Sequence, residues 1–279
     1  MKLKKIFALL SLPALFFFSS CQKEETEPDP ELETTFKLSE DHAISESISD
    51  DANVVFFEAA VNAGLYRMNG TTQTTNTLSC ASVTVTPPTS FPTTIVIDFG
   101  TGCVSSDGIS RSGKINITLS DYLHNPGTTA VLTFDNYSTA GFKVEGTITW
   151  TNTSTPNGVS WTRQITNGRV IEPFGGYYWT HEGTKNVIQT AGVTTPLNLL
   201  DDVYSVTGNH TIVNPAGKTR TVTITEALEK KTTCYHVTKG KLKIQGPNHF
   251  AIVDYGDSAC DNIATITIDG NPPRTILLP

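Results

Sequence analysis

Apolar residues recur along this chain with two different periods. Ile44, Ile48, Ala52, Val55 and Ala59 are spaced by three and four, which predicts one apolar stripe of an α-helix over residues 38–66. Ser39 is the expected N-cap, with Glu40 and Asp41 in the first turn and Gly64 as the stop. Such an amphipathic helix is expected to pack on a sheet as a lid or plug.

From about residue 78 the period changes to two. Ile115, Ile117 and Leu119 alternate with Lys114, Asn116 and Thr118. The same pattern appears at Val144–Trp150, Val222–Ile224 and Leu242–Ile244. Each stretch has one buried and one wet face, as in antiparallel sheets. Turn-forming residues separate them: Asn125-Pro126-Gly127, Asn157-Gly158, Asn167-Gly168, Asn214-Pro215, Gly246-Pro247-Asn248 and Asp269-Gly270. No further helical stripe lies between strands, so a parallel βαβ sheet is excluded. The expected fold is mainly β. One large antiparallel sheet of about ten to twelve strands fills residues 67–279, as a curved open sheet, a barrel or a sandwich, with a single N-terminal helix.

The first 20 residues have a third pattern. Lys2, Lys4 and Lys5 precede a 13-residue apolar run, Ile6 to Phe18, then Ser19, Ser20 and Cys21. A basic start and a run too short to span a bilayer describe a secretory signal. Phe18-Ser19-Ser20-Cys21 resembles the bacterial lipobox, which implies lipidation of Cys21 and a membrane partner through the acyl chains. Lys23-Glu24-Glu25 resembles the surface-export signal of Bacteroidetes-type lipoproteins. The expected location is the outer membrane, with display on the cell surface. Residues 21–37, rich in Glu and Pro, are expected to form an acidic, disordered tether.

Charge narrows the partners. The whole chain carries −7; without the three signal lysines the balance is 17 − 27 = −10. That argues against nucleic acid. No Walker loop, dinucleotide fingerprint, HExxH or G-x-S-x-G is present. The expectation is therefore a non-enzymatic domain without a cofactor, binding a protein, glycan or lipid ligand, or serving a structural role. An apolar- or glycan-binding module and an envelope hydrolase are the alternatives. The six histidines read as surface or turn residues.

Four cysteines remain beyond Cys21. Cys80 and Cys103 bracket strand, turn, strand, Asp98-Phe99-Gly100; Cys234 and Cys260 bracket the same order, ending in Asp254-Tyr255-Gly256. A hairpin joins its own ends, so the expected disulfides are Cys80–Cys103 and Cys234–Cys260. Zinc ligation is the alternative, but no CxxC pair supports it. These bracketed hairpins, with Arg111-Ser112-Gly113-Lys114-Ile115, Phe134-Asp135-Asn136-Tyr137, Val144-Glu145-Gly146-Thr147 and Cys260-Asp261-Asn262, resemble a group of Bacteroidetes-type lipoproteins of uncharacterised function. The resemblance implies a β-rich extracytoplasmic domain and carries over no activity.

Two constellations are candidate sites. Trp150, Trp161, Tyr177, Tyr178 and Trp179 bring all three tryptophans within 30 residues. Aromatic faces on a rigid sheet stack on sugars or flat apolar ligands, although cross-strand core packing uses the same residues. Asp254, Asp257, Asp261 and Asn262 could offer oxygens to a hard cation. Their spacing fits no EF-hand, and Asx turns use the same residues.

Overall fold

The computed structural model describes residues 29–66 and 73–279. The proposed signal, Cys21 and residues 22–28 lie outside the described residues.

Helix α1 runs from Pro30 to Asn62. It starts eight residues earlier than the periodicity suggests, so residues 30–37 are helix rather than tether. Asp29, not Ser39, is the N-cap; its carboxylate accepts from Glu31 N at 2.9 Å, and Pro30 opens the first turn. The acids read as tether, Glu31 and Glu33, sit where the helix dipole favours them. Gly64 ends the helix as expected: it takes φ +72°, and Leu65 N closes back on Ala60 O.

Fourteen strands follow. They are β1 (Ser82–Thr86), β2 (Thr93–Asp98), β3 (Cys103–Val104), β4 (Ser110–Leu119), β5 (Thr129–Thr139), β6 (Phe142–Asn152) and β7 (Ser160–Ile171). Then come β8 (Tyr178–Ala191), β9 (Val203–Val213), β10 (Thr219–Lys231), β11 (Lys239–Gln245), β12 (Phe250–Asp257), β13 (Ile263–Ile268) and β14 (Arg274–Leu277). All pair antiparallel with their chain neighbours, except that short β3 sits beside β4. The sheet is one open meander, so of the three expected shapes the curved open sheet is the one formed.

Its curvature comes from β-bulges. Registers slip between Ser112 and Lys114, Glu145 and Thr147, and Ile165 and Gly168. Gly146 has φ +109°, and a Cβ there would lie 2.6 Å from Asn167 O, so only glycine fits this close crossing. Asn167-Gly168, read as a turn, is part of such a bulge inside β7. The other five turn signals fall between strands.

The concave face wraps the helix. Strands β2, β9 and β11–β13 lie closest to it, and β2 and β11–β13 present an apolar wall, including Ile95, Ile97, Leu242, Val253 and Ile266. Leu38, Ile48, Val55, Phe56 and Ala59 of α1 belong to the same core. Strands β4–β10 add further apolar residues such as Ile115, Leu132 and Trp179, and also meet the helix through long polar side chains, among them Arg111, Arg163, Lys185 and Arg220. The helix is thus buried around most of its circumference, not along one stripe: Glu46, Asp50, Asp51 and Asn53 are as hidden as its apolar residues. No described helix is long and apolar enough to cross a membrane.

Candidate functional site

Both expected disulfides form. Cys80–Cys103 and Cys234–Cys260 have Cα separations of 6.2 and 5.5 Å, within the range a disulfide spans. Cys234 precedes β11 by five residues rather than opening it.

The aromatic group divides into three places. Trp150 on β6 and Trp161 on β7 face inward as diagonal neighbours, 6.3 Å apart and edge to face. Phe57 of α1 packs edge-on against both, at 5.5 and 5.4 Å. Trp179 is buried further along and donates to Ser45 Oγ at 2.6 Å. Tyr177 lies beneath Lys37 near the helix start, its hydroxyl donating to Asp41. Tyr178 is on the outer side, stacked with Arg169 at 4.0 Å. Of the five, only Trp150 and Trp161 share a cleft.

That cleft opens beside the C-terminal half of α1. Its narrow limb, about 50 Å³, has Phe57, Trp150, Trp161, Val187 and Val206 on its walls and Asp50, Arg163 and Lys230 among its polar lining. A wider limb of about 420 Å³ adjoins it at Val54, Lys230 and Thr232. Hydroxyl and amide groups of Thr74, Thr75, Asn76, Thr77 and Thr233 line the wide limb.

Charge in the groove is unevenly satisfied. Arg163 donates from Nη1 to Asp50 at 2.5 Å, but among the described residues its Nε and Nη2 have no hydrogen-bond partner; Nη2 is 3.9 Å from Glu46. Lys230 donates to the carbonyls of Lys231 and Cys234, and among the described residues no carboxylate is within 4.0 Å of it. Burial lowers its pKa, opposed by the more distant Asp50 and Asp51. The acids are each engaged by an arginine, Asp50 by Arg163 and Asp51 by Arg111. Asp51 accepts from Nε and Nη2 of Arg111 and from the hydroxyls of Tyr137 and Thr139. Asp107 binds the same arginine. The groove therefore sets an incompletely hydrogen-bonded arginine against flat apolar walls.

The acidic group at Cys260 is a set of turns. Asp254 caps Gly256 N and pairs with Lys241 at 3.2 Å; Asp261 caps Ile263 N; Asn262 donates to Leu278 O. Asp257 shares a shallow exposed depression with Asp254 and Asp261. Asx turns, not a converging ligand shell, account for these residues.

The histidines depart most from expectation. His42, His181, His210 and His236 are buried, not on the surface. Burial pushes His42 down to about 4, His181 to about 3 and His236 to about 4, and lowers His210 as well. All four are neutral imidazoles at neutral pH. The sequence signal that could have placed them is position: His181 and His210 fall at inward-facing positions of their strands.

No protein family, curated protein or solved structure matches this chain.

Proposed function

We propose that this chain is a lipid-anchored protein of the bacterial envelope whose β-domain binds, without catalysis, a small acidic ligand carrying a flat apolar face. The anchor rests on the lipobox at Phe18-Ser19-Ser20-Cys21. The ligand class rests on one observation: among the residues lining a cleft walled by Phe57, Trp150 and Trp161, Arg163 leaves Nε and Nη2 without a hydrogen-bond partner among the described residues, and Lys230 is held by carbonyls rather than a carboxylate. A carboxylate or similar anion would complete their hydrogen bonds, and the rings would cover its apolar face. The hydroxyl-rich wide limb suits a polyhydroxylated body, so acidic sugars lead and aromatic carboxylates follow.

Binding is favoured over hydrolysis by the state of the acids. Asp50, Asp51 and Asp107, the carboxylates that line the two limbs of the cleft, are each engaged by an arginine.

The anchor is tested by detergent-phase partition of wild type and Cys21→Ser. Wild type should enter the detergent phase and the variant the aqueous phase; equal partition would remove the anchor. The ligand class is tested by calorimetry of the purified protein with galacturonate oligomers, neutral oligomers of the same length and naphthoate. Heat of binding is expected for the acidic compounds alone. Binding of only the neutral oligomers would contradict the role given to Arg163 and Lys230.

A further inference from the structure

A second group of polar side chains lies inside the sheet, beyond Arg163. His42 and Glu46 occupy the same face of α1, one turn apart, and His210 projects inward from β9. One ligand atom from each of the three can be chosen so that all lie within 4.8 Å of one another. All three side chains are buried.

His42 carries the case. Its residue exposure is 1 %, yet among the described residues neither ring nitrogen has a hydrogen-bond partner. Nε2 is 3.4 Å from Glu46 Oε1 without hydrogen-bond geometry. A buried imidazole usually donates through one nitrogen and accepts through the other. One left with two idle nitrogens is costly unless something else fills its coordination. Glu46 is suited to share: Oε2 is held by Lys185, which leaves Oε1 on the histidine side. His210 stands edge to face with His42, ring centres 5.8 Å apart.

We infer that His42, Glu46 and His210 form a binding site for a divalent transition-metal ion, with zinc as the fitting occupant. Two imidazoles and one carboxylate are a donor set that zinc takes readily, leaving a fourth position for water. The metal would cross-link the N-terminal half of α1 to β9 and occupy both the idle ring and the free carboxylate oxygen. Lys185 is the competitor, since it holds the other oxygen of Glu46 and brings a positive charge near the ion.

The test uses the full chain, purified in detergent without a polyhistidine tag, stripped by chelation and dialysed against zinc chloride. Retained zinc is measured by atomic emission, and melting is followed with and without chelator. One zinc per chain and a chelator-reversible rise in melting temperature are expected, with Co²⁺ giving the visible spectrum of imidazole ligation. His42→Leu and His210→Leu should each retain at least tenfold less zinc. In the chelated state His42→Leu should melt no lower than wild type, because it removes a ring with no partners. Wild type that retains no zinc overturns the site, whether or not the variants fold. Zinc retained equally by both variants, or a cobalt spectrum without imidazole ligation, also overturns it.

Discussion

Arg111 of β4 grips Asp51 of the helix through two nitrogens, with Nε to Oδ2 at 3.0 Å and Nη2 to Oδ1, and both side chains are almost fully hidden from water. The pair fastens the helix to β4 across the concave face. Losing one partner strands a buried charge, which costs about 3–5 kcal/mol. Arg111→Met should therefore destabilise by that amount in a urea titration. Asp51→Asn, measured separately, should also destabilise. The double variant should cost clearly less than the sum, because neither charge is then left alone. Strict additivity would show that the two residues do not act as a pair.

A second fastening holds the start of the helix. His249 lies 2.9 Å from Asp29 and 2.5 Å from Asp269. The bonds to Asp269 and Asp29 raise its pKa above the usual 6.5, and those to His249 help lower the two acids. A raised folded pKa gives stabilisation that is complete below 6.5 and is lost as pH rises through the folded value. The first turn of α1 should thus exchange amide hydrogen faster above that pH, after correction for intrinsic exchange. Asp269→Asn should bring the NMR titration of His249 back toward 6.5. High salt should blunt both effects, since the cluster is at the surface.

The disulfides act mainly on the unfolded chain. Each closes a loop, with sequence separations of 23 and 26 residues. In the chain-entropy account that is worth about 3 kcal/mol apiece. Replacing Cys234 and Cys260 together by Ser should lower the urea midpoint accordingly and leave the far-ultraviolet spectrum of the folded state unchanged. Non-reducing peptide maps should contain 80–103 and 234–260 links; an 80–234 link would contradict the hairpin pairing.

Much of this architecture is legible in the sequence because alternation reports directly on which strand faces are dry. The helix is also visible, through Ile48, Ala52, Val55 and Ala59. Its environment is not. The same helix carries Glu46, Asp50 and Asp51, which read as a solvated face until the sheet brings Lys185, Arg163 and Arg111 to them. Partners more than 59 residues away leave no local trace. The bulge at Asn167-Gly168 mimics a turn because both features need a residue with positive φ, here Asn167 at 51°. Clustering in sequence found the cleft tryptophans but could not separate them from Trp179, since all three are inward-facing and only the path of the helix leaves space beside two of them.

The cleft can be read optically. Trp179→Phe leaves Trp150 and Trp161 as the only tryptophans, both in the cleft wall. Fluorescence of this variant, titrated with galacturonate oligomers, should change saturably. The change should weaken at least tenfold when Lys230→Met is added, a loss of about 1.4 kcal/mol. A flat titration across acidic sugars and aromatic carboxylates, in a variant that melts as wild type does, would contradict a ligand-binding cleft at Trp150, Trp161 and Lys230.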